Sequence, residues 1–193
     1  MLDLPEQFIL FDTEFTAWEG SQARRWSGPN EYRELVEIGA IKVAPEDLTE
    51  LAAFDVYIRP EKNPILSDYF IELTGITQAT VDAEGVPLKT ALRRFAEWCG
   101  NLPLYSYGAD ERVLIENSGL AGITFPFDAG QFSDVRTVFQ RRGIPAERYT
   151  SGTIVAAFGV KPVRRAHNAA NDARTILDGL RLLGRRDTAY VVE

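Results

Sequence analysis

Four consecutive apolar residues, Phe8-Ile9-Leu10-Phe11, run directly into Asp12-Thr13-Glu14, and no other stretch restricts the fold as much. A continuous apolar run with an aromatic at each end is what a strand buried on both faces requires. Side chains alternate along a strand, so if the extended backbone continues, Asp12 and Glu14 point to one face. The chain is therefore expected to place a strand inside a sheet, with paired carboxylates at its carboxyl end. Like charges in that position repel unless a cation lies between them. The spacing alone carries little weight, because chance supplies an Asp-x-Glu in a chain of this composition. Asp82-Ala83-Glu84 is a second copy, expected in a glycine-flanked turn with no strand before it. The buried strand is what sets Asp12 and Glu14 apart.

Leu35 to Val43 is mostly apolar, with Val36, Ile38 and Ala40 alternating against Glu37 and Gly39, and Phe54 to Ile58 repeats the alternation. The turn-rich Ala44-Pro45-Glu46-Asp47 lies between them, so the two read as an antiparallel pair joined to the first strand. Thr16 to Asn30 is polar and reads as a loop around Gly20, Gly28 and Pro29; it also carries Trp18, Arg24, Arg25 and Trp26. Beyond Pro60 the pattern turns helical. Ser67 to Leu73 is a short helix closed by Gly75, and Pro87 to Cys99 has Leu88, Ala91, Leu92, Phe95 and Trp98 at helical spacing before Gly100. Leu104-Tyr105-Ser106 reads as a strand, Asp110 to Asn117 as a helix, and Phe132 to Val135 as a fifth strand. Helices follow over Arg136–Arg142, Thr153–Phe158 and Asn168–Leu183. Strands first and helices interleaved later specify an α/β chain with a mixed sheet. Its 193 residues suit one domain, spanning 1–193 with a core over about 8–183.

Several functions are excluded. The formal net charge of -7 argues against coating nucleic acid or an anionic membrane by bulk charge, although a local basic rim can coexist with an acidic site. Cys99 is the one cysteine, which rules out an internal disulfide and cysteine-based zinc motifs. No apolar run approaches the length of a membrane span, and the acidic amino-terminal stretch does not read as a targeting signal. A soluble, cytoplasmic protein with no membrane partner is the expectation. His167 is the one histidine, and there is neither a Gly-x-Ser-x-Gly elbow nor a Gly-rich phosphate or dinucleotide loop. Carboxylates remain, and they are the natural ligands of hard divalent cations.

Besides Asp12 and Glu14, two further places stand out. His167 precedes the last long helix and Asp172 lies one turn into it, so both can look into one cleft. Asp110 follows a strand and tight turn and opens a helix, where, taken singly, it reads as an N-cap. Along the chain, Phe11-Asp12-Thr13-Glu14-Phe15, Glu37-Ile38-Gly39-Ala40, Leu73-Thr74-Gly75-Ile76-Thr77, Gly108-Ala109-Asp110 and His167-x4-Asp172 occur in that order. This set resembles the DEDDh branch of the DnaQ-like 3′–5′ exonucleases, from Phe8 to about Leu183. The resemblance implies a ribonuclease H-like fold, a mixed five-stranded sheet with the second strand antiparallel and helices flanking it. It implies that Asp12, Glu14, Asp110 and Asp172 hold two divalent cations, Mg²⁺ or Mn²⁺, and that His167 is the general base. It places Thr13, Phe15 and Leu73 beside the terminal nucleotide. Arg24-Arg25-Trp26, Arg141-Arg142 and Arg164-Arg165 are candidate phosphate contacts, the best of them Arg164 and Arg165 just before His167.

The activity so implied is hydrolysis of single-stranded DNA or RNA from the 3′ end, releasing nucleoside 5′-monophosphates. Two cations neutralise the scissile phosphate and stabilise the leaving oxygen, while a neutral histidine accepts the proton of the attacking water. The stretch Tyr107-Gly108-Ala109-Asp110 lacks the Asn and aromatic often found before this Asp. It resembles the RNA-trimming, histone-mRNA type as much as the proofreading type, which leaves DNA and RNA both open. A non-catalytic nucleic-acid-binding or polymerase accessory module of the same fold is the alternative; the intact set of acids and His167 speaks against it. A structural Mg²⁺ or Ca²⁺ site in an unrelated α/β protein is a third reading, opposed by the absence of a dense Asp/Asn loop. No clamp-binding motif marks a protein partner.

Overall fold

A computed structural model describes residues 2–44, 46–128 and 130–189. Five strands form one sheet: β1 (Phe8–Phe15), β2 (Leu35–Ala44), β3 (Thr49–Tyr57), β4 (Leu104–Ser106) and β5 (Phe132–Asp134), in the spatial order β3-β2-β1-β4-β5. β2 is antiparallel to both neighbours, whereas β4 and β5 run parallel to β1. The expected mixed sheet with an antiparallel second strand is therefore present. Among the described residues six α-helices flank it: α1 (Asp68–Thr74), α2 (Gln78–Glu84), α3 (Leu88–Cys99), α4 (Asp110–Leu120), α5 (Arg136–Gln140) and α6 (Ala169–Ala189).

The pleat of β1 divides the core. Phe8 and Leu10 face α5 and α6, where they meet Phe139, Ile176, Leu177 and Leu180 with Ile41 and Val43 of β2. Ile9 and Phe11 face the opposite layer, against Leu88, Leu92 and Phe95 of α3 and Val113 and Leu114 of α4. All four β1 residues are fully buried, and such a side chain contributes about 1.5–3 kcal/mol relative to an exposed one. Alternation then carries Asp12 and Glu14 to the α6 side and Thr13 and Phe15 to the α4 side.

Several local expectations are corrected. β1 runs on through Asp12-Thr13-Glu14 to Phe15, so the acids lie within the strand rather than after it. Asp82-Ala83-Glu84 is the last turn of α2, capped by Thr77, whose hydroxyl accepts from Thr80 N–H. Asp110 does not cap α4; Ala109 occupies that position without a side-chain bond, and the Asp110 carboxylate is engaged elsewhere. The segment before α6 is a 3-10 turn over Ile154–Phe158, and α5 ends at Gln140. Ser67 caps α1 and Gly75 closes it with a left-handed φ of 80°, as expected. Pro45, in the expected β2–β3 turn, lies outside the described residues. Among the described residues no helix is long and apolar enough to cross a membrane.

Candidate active site

β1 contributes Asp12 and Glu14, and the first turn of α6 contributes Asp172. One carboxylate oxygen from each of these buried residues lies within 4.8 Å of the others. The α6 helix reaches β1 at this height because its first turn lies flat on β2. A Cβ on Gly39 would fall 2.2 Å from the Ala170 nitrogen, so only glycine fits there. Ahead of the helix, His167 has a left-handed φ of 61°. Its backbone N–H donates to Asp172 Oδ2 at 3.3 Å, and Ser151 Oγ–H donates to the same oxygen at 3.1 Å. Asp172 Oδ1 is buried without a hydrogen-bond partner. A Cβ on Gly152 would come within 2.7 Å of that oxygen, so a side chain there would press directly on it.

Burial and mutual repulsion act on the cluster in one direction. Desolvation pushes the Asp12 carboxyl well above the usual range, and the charges of Asp110, Asp172 and Glu14 push it further. Glu14 is raised by burial and then by Asp172 and Glu37. Burial lifts Asp172 to about 6, against the partial relief of the His167 and Ser151 hydrogen bonds. Asp110 is raised by burial as well; Thr13 Oγ1–H, donating to its Oδ1 at 2.7 Å, offsets part of this. Converging oxygen donors, a common repulsion and an orphaned buried oxygen fit a hard divalent cation such as Mg²⁺ or Mn²⁺.

A carboxyl that binds protons more tightly folded than unfolded stabilises the fold at low pH. For Asp172 that stability is complete below the ordinary value of 3.8 and is lost as pH rises through about 6. Without metal, the melting temperature is thus expected to fall between pH 5 and pH 7.5, and Mn²⁺ should raise it more at pH 7.5 than at pH 5. Thermal scans in EDTA and in Mn²⁺ check this; a melting point that climbs with pH in EDTA would contradict the repulsion.

The cluster opens into a cleft of about 410 Å³ that also contains His167, Asp110, Thr13, Phe15 and Leu73. Asp110 lies in the same cleft but outside the three-carboxylate group, and Thr13 turns its hydroxyl to Asp110. His167 is exposed at the cleft, yet partial desolvation by its surroundings, followed by the Arg165 charge, lowers its pKa below 6.5. Arg165 does not line the cleft. Its Nη2 donates to the Glu72 carbonyl at 3.0 Å and its guanidinium lies over Gly75, tying the His167 loop to α1. Arg164 pairs instead with Asp178, and Arg24 with Glu31.

Other groups in the cleft carry no sequence signal. Arg33 lies 5.4 Å from the Phe15 ring centre and 5.2 Å from that of Trp26, forming one wall. Trp26 comes from the polar loop after β1, held by its indole N–H on the Thr16 carbonyl at 2.9 Å. Arg136, Tyr69, Tyr107, Tyr149 and Ser151 also line the cleft. Trp26, from the aromatic- and arginine-bearing Thr16–Asn30 loop, and Tyr107, from the stretch before Asp110, are the exceptions among these lining residues.

A mixed five-stranded sheet in this order, with Asp12, Glu14 and Asp172 gathered at its centre, is a fold shared with solved 3′-exonuclease structures. The RNase_T exonuclease family model matches residues 9–180, and the chain belongs to that family. The probable 3′-5′ exonuclease KapD of Bacillus subtilis is 29% identical over 172 residues, covering 86% of this chain and 79% of KapD. ERI1 exoribonuclease 2 of Xenopus laevis is 36% identical over 97 residues, which is 50% of this chain but 13% of that much longer protein. Among solved structures, the nuclease domain of 3′hExo, a DEDDh family member bound to rAMP, has a TM-score of 0.81 at 21% identity. That match covers 96% of this chain and 95% of the other.

Proposed function

We propose that this protein is a metal-dependent 3′–5′ exonuclease that removes nucleoside 5′-monophosphates from the 3′ end of single-stranded nucleic acid. The observation that carries the reading is the convergence of Asp12, Glu14 and Asp172 around the unpartnered Asp172 Oδ1 within the cleft. Those residues, with Asp110, would hold the divalent cations. When bound, two such ions supply positive charge to the scissile phosphate and lower the pKa of the attacking water.

The chain's own residues do the remainder. His167, neutral at pH 7 because its pKa is lowered, accepts a proton from water at its imidazole nitrogen. Its left-handed backbone places that ring at the cleft while its N–H steadies Asp172. Thr13 fixes Asp110, so the second acid motif is oriented by the first. Phe15 and Leu73 provide apolar surface for the terminal nucleotide, and a base stacked on an aromatic gains about 1–3 kcal/mol in a sequence-tolerant way. Arg33, paired with Glu116, and Arg136, paired with Asp134, line the cleft and are the arginines placed to meet phosphate.

Incubation of 5′-labelled single-stranded RNA and DNA of one sequence with Mg²⁺ or Mn²⁺ tests the reading. A ladder shortening from the 3′ end, abolished by EDTA, is expected, with RNA the faster strand in keeping with the relatives named exoribonucleases. Binding of both strands by folded protein without cleavage would instead favour the accessory module.

A further inference from the structure

The Glu37-Ile38-Gly39-Ala40 segment of β2 carries no acid of the cluster, yet two of its residues stand directly beside it. In the β1–β2 register Asp12 pairs with Gly39 and Glu14 with Glu37. Residues directly opposite on neighbouring strands point to the same face, so Glu37 and Gly39 lie on the α6 side with both acids. Glu37 is fully buried and has both carboxylate oxygens engaged. Oε1 accepts from Asn168 Nδ2–H at 2.9 Å, and Oε2 accepts from the Ala169 backbone N–H at 3.0 Å. Asn168 in turn accepts from Asn171 N–H at 3.1 Å through its Oδ1. A helix N-terminus leaves its first N–H groups without partners inside the helix; Glu37 supplies acceptors there, while burial, and after it the neighbouring Asp55 carboxyl, raise its own pKa to about 8.

We infer that Glu37 and Gly39 form a gauge that positions His167 and Asp172 over Asp12 and Glu14. Gly39 sets the height, because the backbone of Ala169 and Ala170 rests where its Cβ would be, at 2.5 and 2.2 Å. Glu37 sets the position along the strand, because it grips the residue after His167 and the first residue of α6. The strained φ of His167 sits between this grip and the Arg165 contact with α1, so the loop is pinned on both sides. Glu37 is fully buried and does not line the cleft, so it acts as a positioning residue. A buried acid without a cationic partner is costly, and a fold that needed only packing would be served by an apolar residue there. This inference rests on the exonuclease reading for its kinetic consequence but not for its effect on metal affinity.

Glu37→Gln keeps one acceptor for the two donors, and Glu37→Ala keeps none. Loss of an outer partner of a metal ligand typically costs 10- to 100-fold in affinity or rate. The expected series is a fall in kcat of about 10-fold for Glu37→Gln and about 100-fold for Glu37→Ala, with KM for a single-stranded oligonucleotide within about twofold. Mn²⁺ affinity, measured by calorimetry without substrate, should weaken in the same order. Gly39→Ala should be at least as damaging as Glu37→Ala. Leu183→Ala, a cavity in the buried far part of α6, serves as the comparison: it lowers the melting temperature but should leave kcat and Mn²⁺ affinity unchanged. If Glu37→Gln and Glu37→Ala lose no more Mn²⁺ affinity than Leu183→Ala, the gauge is refuted. A wild-type protein that cleaves neither strand would refute the exonuclease reading, while the Mn²⁺ series would still decide the role of Glu37.

Discussion

Asp12→Asn is expected to cut hydrolysis about a thousandfold or more while making the metal-free protein more resistant to heat. The two effects share one cause. Asp12 is buried among Asp110, Asp172 and Glu14, and its carboxyl is raised because the charged form is opposed by burial first and by those neighbours second. The amide has nearly the same shape and no charge, so the folded state without metal is relieved of a repulsion. With metal, the same change removes a ligand oxygen and a negative charge from the site. Several kcal/mol of transition-state stabilisation then disappear, and each 1.4 kcal/mol or so is tenfold in rate. Asp172→Asn should behave alike in rate, because its carboxylate converges on Asp12 and Glu14 and its buried Oδ1 has no hydrogen-bond partner among the described residues. Single-turnover cleavage of a 5′-labelled strand and thermal scans in EDTA provide both readings. An Asp12→Asn protein that cleaves within tenfold of wild type, or that melts lower than wild type in EDTA, would contradict this account of the cluster.

Much of this arrangement is legible in the sequence because it depends on local periodicity. The apolar run before Asp12, the alternation in β2 and β3, and the Ser67 and Gly75 caps are each set by a few neighbouring residues. The α2 helix is not legible for the same reason: Gln78–Glu84 buries Val81 alone, so no apolar stripe announces it. Long-range partners are a different matter. Nothing near Asp110 says that its carboxylate meets Thr13, 97 residues away, or that Glu37 grips a helix 132 residues later. Arg165 shows how proximity in sequence misleads. It stands two places before His167, yet its long side chain turns to the Glu72 carbonyl, while Arg33 and Arg136, remote in sequence, reach the cleft. A strand or helix fixes where its own side chains point; a loop arginine goes wherever the tertiary structure offers an acceptor.

His167→Ala separates proton transfer from metal binding, and the expected loss in kcat is about 10²- to 10⁴-fold, the usual worth of a positioned general base. The three converging carboxylates do not include the His167 ring. The backbone N–H that steadies Asp172 also remains in the variant. Mn²⁺ affinity should therefore stay within about threefold of wild type, in contrast to the loss expected for Glu37→Ala. The pH profile supplies the sign. A general base works as the neutral imidazole, and partial desolvation followed by the Arg165 charge lowers the His167 pKa from 6.5. The wild-type rate should rise with pH through a value below 6.5 and stay high at neutrality, and the variant should lack that rise. Removing the nearby charge with Arg165→Gln should move the rise toward higher pH, since neutral imidazole then forms less readily. An unchanged kcat in His167→Ala would remove the base from the mechanism. The same would follow if the variant kept the wild-type acid limb, because the titrating group would then be one of the carboxylates.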